Sequence, residues 1–554
     1  MADSRNVVDA IERSPRVIRN LFFVGMAALW LAACGASAPS RPACPQGKVC
    51  LQYGNTSEPQ TLDPHLSTGT WEDRIQSDLL VGLTQSDPEG KPIPGMAERW
   101  DISPDGLIWT FHLRQAVWSD GVPVTADDFV YSFRRLLDPK TASEYASVFF
   151  LVKGAQAVNE GKAAPESLGV SALDPLTLRI ELTHPAPYLI ELAKHHTMYP
   201  VPKHVVERWG AAWIRPEHFV GNGPYDLKEV RLGNYVRSVK NPRFWDADKV
   251  CVDEIYYYPT TDSISAERRV ARGELDLNTD MQSNRIAFLR TKMPGYVRTN
   301  TYLGLAYIAF NTNPKSGYAP FRDRRVRQAL AMSIDREFIT QKLLRGGQLP
   351  AFTFTPPGVA NYQGAEPPYW AAWTFARRQA EARRLLAEAG FGPKHPLTLE
   401  IKHRNTPDPM LFMPAVQADW KEIGVQATLA QQETQIAYQD YRIRAFQAAD
   451  AAWIADYNDP TSFLDLQRSF YGPQNYGDYN NPEYDRLMAL ADDEPDVAKR
   501  AALMAKAEHM MLEDAPVAPV YFLVNKNLVS PRITGWVDNL LDHHRSRWLC
   551  VKPA

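Results

Sequence analysis

Strand-like and helix-like segments alternate along the chain after about residue 50, and this alternation constrains the fold more than any other feature. Near period-2 spacing of apolar residues predicts strands at 107–114, 176–182 and 517–524. Helical spacing, with Thr125 as a cap and Gly390 at an end, predicts helices at 125–137, 323–344, 377–389 and 410–423. Because 554 residues are too many for one core, we expect a mixed α/β protein of two or three domains.

The first 34 residues have the form of a bacterial export signal. Arginines at positions 13–19 precede an apolar run at 21–33, which is shorter than the roughly 20 residues that a membrane-spanning helix needs. The run ends in LAACG at 31–35, which resembles a lipobox and makes Cys34 the predicted lipidation site. A chance cysteine after an ordinary signal is the alternative. We therefore predict a signal peptide at 1–34, a tether at 35–49 rich in Ala, Ser and Pro, and a protein held at a membrane outside the cytoplasm.

The remaining cysteines are Cys44, Cys50, Cys251 and Cys550, an even number suited to disulfides in an oxidising compartment. Four cysteines allow three pairings. We favour Cys44 with Cys50 at the tether, and Cys251 with Cys550 between the body and the C-terminus. A zinc site is the weaker alternative, because the chain has no C-x-x-C pair and no histidine at ligand spacing from these cysteines.

Charge and motifs exclude several function classes. The net charge is -3 and no basic stripe is evident, so nucleic acid is not an expected partner. The chain has no phosphate-binding loop, no H-E-x-x-H and no G-x-S-x-G motif. Gly221 to Tyr225 starts like a dinucleotide loop but lacks its third glycine, and is interpreted as a chain reversal. His195 and His196 are expected to point apart and to have a surface or core role rather than a metal-binding one. We therefore expect that the protein is not an enzyme and that it binds neither a cofactor nor a metal ion.

Several stretches together resemble one family, the oligopeptide-binding proteins of bacterial ABC permeases, which are solute-binding proteins of family 5, the peptide/nickel type. The stretches run in order from about residue 50 to the C-terminus. They lie at 62–65, 118–132, 141–147, 222–225, 241–246, 321–330, 350–357 and 455–464.

The resemblance implies a type II periplasmic-binding-protein fold, with two lobes, a hinge and an extra domain. By analogy lobe I comprises 50–79, 203–303 and 524–554, the extra domain 80–202, and lobe II 304–523. It also implies the function: a monomeric periplasmic lipoprotein that captures an oligopeptide in a closing cleft and delivers it to an inner-membrane ABC permease.

The segment A-D-Y-N-D-P-T at 455–461 supplies the main candidate site residue, Asp456. In the family, the aspartate of this segment pairs with the α-ammonium of the peptide. A carboxylate in a closing, water-poor cleft is costly unless a cation meets it, and here the ligand would bring the cation. The alternative is a capping role in the turn, but Asp459 and Pro460 already supply one.

The resemblance implies further ligand-contacting residues around Asp456. Tyr145 and Tyr307 match cleft-facing positions, although core packing is equally compatible with them, and Trp453 is expected to form a wall or a core contact. The remaining candidates are Tyr457, Asn458, Thr68 and Thr70.

The chain departs from the family pattern where basic side chains hold the ligand's C-terminal carboxylate. The aligned positions hold Asp450, Leu344, Pro409 and Tyr441. Asp450 would repel a carboxylate, so we expect a longer, amidated or modified peptide, or a cell-wall peptide, rather than a tripeptide held at both ends. The family's disulfide is also missing, because Gly304 and Ile454 occupy its positions.

Three alternative functions stay open. The scaffold could bind another amine-bearing solute, or a metal chelate, sugar or opine. It could serve in signalling or as a chaperone-like binder without a permease. A cell-wall peptide hydrolase is less well supported, because no nucleophile–base pair can be named.

Overall fold

A long mixed β-sheet organises the computed structural model, which describes residues 42–553. The predicted signal peptide with Cys34, and residues 35–41 of the predicted tether, lie outside the described residues. The chain divides into two units, residues 1–46 and 47–554; the described part of the first, 42–46, contains neither helix nor strand. All elements below belong to the second unit.

The strands are numbered in chain order. They are β1 Cys50–Gly54, β2 Thr84–Ser86, β3 Pro92–Pro94, β4 Ala97–Ile102, β5 Ile108–Leu113, β6 Val170–Asp174, β7 Thr177–Glu181, β8 Tyr225–Arg231, β9 Tyr235–Lys240, β10 Glu254–Tyr258, β11 Leu277–Asn278, β12 Val297–Phe310, β13 Leu349–Pro350, β14 Thr398–Arg404, β15 Gln426–Gln432, β16 Ala448–Ile454, β17 Val517–Val529, β18 Ile533–Thr534 and β19 Cys550–Val551.

The α-helices follow the same order. They are α1 Thr70–Leu79, α2 Ala126–Leu137, α3 Ala155–Asn159, α4 Leu189–Leu192, α5 Lys203–Trp209, α6 Ser263–Ala271, α7 Ile286–Lys292, α8 Arg324–Met332, α9 Arg336–Phe338, α10 Phe375–Glu388, α11 Pro407–Glu422, α12 Thr434–Arg442, α13 Thr461–Leu464, α14 Pro482–Asp492 and α15 Val497–Asp514. Short 3-10 turns and one π-helical turn join them.

The largest sheet has 11 strands and runs in the order β15-β14-β16-β12-β17-β11-β1-β10-β9-β8, with β13 paired to β17. Strands β12 and β17 are long and antiparallel, and their register shifts between Thr301 and Leu305. The expected lobe boundaries at 303–304 and 523–524 fall inside these two strands. The boundaries remain predictions, but the two strands physically join the halves of the sheet.

A separate four-stranded antiparallel sheet, β4-β5-β7-β6, lies within the predicted extra domain. In β5 every second side chain is buried, and α2 packs against β6. Thr125 and Asp128 form a capping box at the start of α2, while Phe129 and Phe133 are fully buried. The predicted strands at 107–114 and 176–182 and the predicted helix at 125–137 are therefore confirmed.

The predicted helix at 323–344 is wrong as one continuous element. Helix α8 ends at Met332, and the chain turns before α9 begins at Arg336. The carboxylate of Asp335 accepts the N–H of Phe338 at 3.0 Å and caps the new helix, which continues as a π-helical turn at Ile339–Leu344. The buried guanidinium of Arg336 donates to backbone carbonyls of neighbouring segments, which fixes this break.

The other predicted elements are present with shifted ends. Helix α10 runs from Phe375 to Glu388 and is followed by Gly390 at φ 91°, a conformation that glycine adopts without strain. Helix α11 starts three residues earlier than expected, and β17 continues to Val529. The predicted mixed α/β class is confirmed.

A disulfide joins Cys251 to Cys550 across a sequence separation of 299 residues, as predicted. It holds β19 close to the segment before β10, so the C-terminus is fixed to the body. Cys44 and Cys50 each take part in a disulfide, and their pairing with one another stays a prediction. Within residues 42–553, no cluster of three or more His, Cys, Asp or Glu has a geometry that could hold a metal ion.

Across the described part of the chain, the helices are too short or too polar for any of them to span a membrane.

Candidate functional site

One cavity of about 400 Å³ collects side chains from all three predicted domains, and we call it the central cavity. Thr68 of predicted lobe I, Tyr145 of the extra domain and Asp456 of lobe II all line it. Its volume lies within the range of sites that bind small organic molecules.

A second cavity of about 650 Å³ lies beside Tyr188. Its buried charged groups contact one another: Arg468 lies 2.7 Å from Asp492 and 2.6 Å from Asp465. Burial raises the pKa of Asp465 to about 6, against the opposing effect of Arg468. The charges here already have partners within the chain, so the central cavity is the better candidate for a ligand site.

Asp456 follows directly after β16, at a turn that other residues hold in place. Asp459 accepts the N–H and the hydroxyl of Thr461 at 3.0 and 2.7 Å, and helix α13 begins there. The Arg500 guanidinium binds the same Asp459 carboxylate at 2.8 and 2.9 Å, with both side chains 6% exposed. The Asp456 backbone N–H donates to Ser462 Oγ at 2.9 Å. The Asp456 carboxylate is therefore positioned by the turn but is not used to build it.

The carboxylate of Asp456 is 12% exposed and has only long contacts to the described residues. The Tyr145 hydroxyl donates to Oδ1 at 3.5 Å, and His195 Nε2 lies 3.5 Å from the same oxygen. No lysine or arginine of the described residues forms an ion pair with it. A carboxylate in this position is a natural site for a cation supplied from outside the chain.

Aromatic rings form the wall beside Asp456. The Tyr145 ring stacks near Trp453, with centroids 6.4 Å apart, and lies 5.5 Å from the His195 ring. Trp453 is 8% exposed, and its indole Nε1 is a buried donor without a hydrogen-bond partner among the described residues. The wall thus offers flat apolar surface and one N–H donor to a ligand.

The expectation that His195 and His196 point apart is wrong. Their ring centroids are 4.1 Å apart, and both residues line the central cavity. The chain enters the 3-10 turn His196–Met198 at this point, so the two neighbours do not alternate as in a strand. His196 Nδ1 lies 3.5 Å from Asp73 Oδ1, and burial lowers the pKa of His196.

The structure brings most of the sequence-predicted ligand residues together. Thr68, Thr70, Tyr145, Trp453 and Asp456 all line the central cavity.

Three sequence-predicted residues lie elsewhere. Tyr307 is 1% exposed and packs edge-on against Phe354 in the core, with centroids 5.3 Å apart. Tyr457 stacks on Tyr188 at 5.2 Å beside the second cavity. Asn458 Oδ1 accepts the N–H of Ala360 at 2.9 Å and holds a loop. Side chains alternate along β12, so Tyr307 faces away from the cavity that its neighbour Ala306 lines.

The expectation that Asp450 repels a ligand carboxylate is wrong. Asp450 is fully buried, and Arg404 of the neighbouring β14 binds it through Nε at 2.8 Å and Nη2 at 3.0 Å. Burial alone would lower the pKa of Arg404, but the Asp450 carboxylate outweighs burial and holds that pKa above its usual range. The acid is neutralised inside the protein and Arg404 lines the cavity.

Sequence reasoning missed the cations of the central cavity. They are Arg74, Arg404, Arg442, Lys526 and Arg545. Besides the Arg404–Asp450 pair, three more are paired: Arg442 with Glu144 at 2.9 Å, Lys526 with Asp408 at 3.0 Å, and Arg545 with Asp73 at 2.8 Å. The acid partner of each cation is distant from it in sequence, so no local motif could predict the ion pair.

The structure also shows where the other residues that depart from the family pattern lie. Leu344 and Tyr441 are fully buried, while Pro409 lines the central cavity. Gly304 and Ile454 are direct partners in the β12–β16 pairing, so they do occupy facing positions on neighbouring strands.

Side chains from opposite sides of the central cavity touch one another. Arg442 Nη2 donates to Thr68 Oγ1 at 3.1 Å, and Gln60 donates to Gln435. Gln474 donates to the backbone carbonyl of Glu144. These contacts draw predicted lobe II against lobe I and the extra domain around the cavity.

Comparison with known proteins identifies relatives of this chain along most of its length. The family described as "Bacterial extracellular solute-binding proteins, family 5 Middle" matches residues 91–477. The periplasmic oligopeptide-binding protein OppA of Salmonella typhimurium is 38% identical over 525 residues, which cover 94% of this chain and 95% of that protein.

Solved structures are similar over the same extent. The structure of the Escherichia coli murein tripeptide binding protein MppA has a TM-score of 0.87 and 36% identity, covering 92% of this chain and 99% of that one. Haemophilus influenzae OppA in complex with the peptide RPPGFSPFR has a TM-score of 0.86 and 34% identity, with 92% and 100% covered.

The structure is less similar to a relative solved in an open form than to the two structures above. The unliganded open form of MppA gives a TM-score of 0.68 at 36% identity, with 91% of this chain and 98% of that chain covered. The lower score for the open form agrees with the contacts that draw the two sides of the central cavity together. From the family match and the identity over nearly the whole length, the chain belongs to the bacterial extracellular solute-binding proteins of family 5.

Proposed function

We propose that this protein binds peptides in the central cavity, outside the cytoplasm, and delivers them as a monomer to an ABC permease. One observation carries the proposal: the Asp456 carboxylate is 12% exposed, faces the cavity and has no lysine or arginine partner among the described residues. The α-ammonium of a peptide is a cation of suitable size and charge for it. Relatives named for binding oligopeptides and a murein tripeptide support the same ligand class.

The aromatic wall explains how one site accepts different peptides. Tyr145 and Trp453 offer flat surface to the start of the peptide chain, and the Trp453 indole donor is free to meet a peptide carbonyl. Backbone groups recur regularly in every extended peptide, so recognition through them does not depend on side-chain identity.

Ligand binding and closure are linked in this proposal. Arg442, Thr68 and Glu144 meet only when the two sides of the cavity come together. A peptide whose ammonium lies between Asp456 and the opposing Tyr145 contacts both sides, so it favours the closed form over the open one.

Mass spectrometry of small molecules released from natively purified protein tests the function. We expect peptides with free N-termini, and we expect the same peptides to bind the emptied protein in calorimetry without being cleaved. Recovery of only sugars, metal chelates or other non-peptide solutes would refute the proposal. Cleavage of the peptides during incubation would favour the hydrolase alternative.

We also propose that Cys34 carries a lipid that anchors the protein to a membrane of the cell envelope. Cys34→Ser is expected to move the protein from the membrane fraction to the soluble periplasmic fraction, because a cleaved, unlipidated chain keeps no apolar anchor. Ser37→Ala, in the same tether but outside the motif, serves as the matched control and should stay with the membrane. Equal membrane recovery of Cys34→Ser and its control would contradict the anchor.

A further inference from the structure

We propose that Arg74 binds a carboxylate group of the ligand, which makes peptides carrying a carboxylate close to their N-terminus the preferred ligands. This inference rests on the proposed function and adds to it a second charged anchor and a substrate class. The carboxylate can belong to the C-terminus of a short peptide or to an acidic side chain.

Arg74 is a cation at the cavity wall that forms no ion pair with any described residue. It lies in α1, whose residues Thr70, Trp71 and Asp73 also line the central cavity. Its guanidinium Nη1 is buried and has no hydrogen-bond partner among residues 42–553, and no carboxylate of those residues forms an ion pair with it. A buried donor without a partner is rare in folded proteins and calls for an explanation.

Asp73 and Asp542 are acids of the cavity wall that other residues already bind, and Glu72 forms no ion pair with Arg74. Asp73 is its neighbour in sequence, but the carboxylate of Asp73 is bound by Arg545 at 2.8 Å. Asp542, on the same wall, accepts from Asn527 Nδ2 at 2.7 Å and lies 2.9 Å from His544 Nε2. Neither acid neutralises the guanidinium of Arg74 by direct contact.

The other four cations of the cavity each have an acid within the chain, as described above, which leaves Arg74 as the exception among the described residues. Three acids of the central cavity have no lysine or arginine partner among the described residues. Asp542 and Glu72 accept short hydrogen bonds, from Asn527 at 2.7 Å and from the Gln60 N–H at 2.9 Å, and burial raises the pKa of Glu72 to about 7. Asp456, with contacts only at 3.5 Å, and Arg74 are therefore the anion and the cation that remain for a ligand. A ligand that satisfies both must carry an ammonium and a carboxylate. Arginine suits the second role because its planar guanidinium can donate two parallel hydrogen bonds to a carboxylate.

A short series of contacts runs across the cavity from Asp456 to the residue before Arg74. His195 Nε2 lies 3.5 Å from Asp456, the His195 and His196 rings are 4.1 Å apart, and His196 Nδ1 lies 3.5 Å from Asp73, the residue before Arg74. Along this path, a ligand that reaches both anchors carries its carboxylate near its N-terminus.

Calorimetry with matched peptides tests the inference. The ligands are one short peptide with a free C-terminus, the same peptide as its C-terminal amide, and two amides that differ only in Glu or Gln at the second position. Wild type, Arg74→Gln, Arg74→Lys and the control Arg298→Gln are compared; Arg298 is exposed and outside the cavity lining, so its replacement makes the same change in net charge.

We expect wild type and Arg298→Gln to bind at least one carboxylate-bearing ligand about tenfold more tightly than its neutral counterpart. Arg74→Gln should lose that preference while binding the neutral amide as well as wild type does, and Arg74→Lys should retain part of it. A preference for the free C-terminus or for the Glu peptide assigns the source of the carboxylate.

Two results would overturn the inference: wild type without any carboxylate preference, or Arg74→Gln with the preference intact. If wild type binds none of the peptides, neutral or charged, the proposed function itself fails, and the inference falls with it. Unchanged binding of the neutral amide by Arg74→Gln shows that the variant is folded, so loss of folding is distinguished from loss of the anchor.

Discussion

Replacing Asp456 with Asn is expected to weaken the binding of a peptide with a free N-terminus at least tenfold, while the melting temperature stays nearly unchanged. The amide has almost the same shape but no charge, so the ligand's ammonium would be desolvated without a counter-ion. Loss of one partner of a buried, hydrogen-bonded charge pair costs roughly 3–5 kcal/mol, which exceeds the tenfold threshold. The stability of the fold should be insensitive to the change, because residues 42–553 contact this carboxylate only at 3.5 Å. Calorimetry at neutral pH measures the affinity for the peptide, and a thermal melt measures the melting temperature.

The same peptide with an acetylated N-terminus provides the control for the ligand side. It lacks the ammonium, so wild type should bind it weakly and Asp456→Asn should bind it no worse than wild type does. The four affinities form a double-mutant cycle that isolates the interaction between carboxylate and ammonium. Equal affinity of wild type and Asp456→Asn for the free peptide would defeat the proposed site.

Local sequence patterns were sufficient for much of the fold and for one half of the site. The capping box at Thr125 and the alternation in β5 depend on residues a few positions apart, and the structure has them as expected. Asp456 and Trp453 lie in one short segment, so a single resemblance brought both to the correct wall.

The charges of the site could not be predicted because their partners are distant in sequence. Asp450 looks like a repulsive acid until Arg404, from the adjacent strand, neutralises it. The sequence does not show that the side chain of Arg74 in α1 points into the cavity. The break at Asp335 was missed for the same reason: the apolar spacing continues through it, and tertiary contacts of Arg336 decide where the helix ends.

Replacing Arg404 with Leu is expected to lower the free energy of unfolding by about 3–5 kcal/mol. The substitution leaves the carboxylate of Asp450, which has no exposed surface, without its two guanidinium contacts. It also removes the hydrogen bond from Arg404 Nη1 to the Tyr438 hydroxyl at 3.0 Å. Urea unfolding of the variant and of wild type measures this loss of stability as a shift in the unfolding midpoint.

Two variants separate a buried ion pair from any effect of replacing arginine. Arg486→Leu removes a contact of the same kind to Glu483, at 2.6 Å, but these side chains are 56% and 44% exposed, so the expected loss is below about 1 kcal/mol. Adding Asp450→Asn to Arg404→Leu removes the stranded charge and should restore at least about 1 kcal/mol. Unfolding of the Arg404 and Arg486 variants at the same urea concentration would mean that solvent reaches Asp450. The conclusion that Arg404 neutralises Asp450 inside the protein, away from the ligand, would then be wrong.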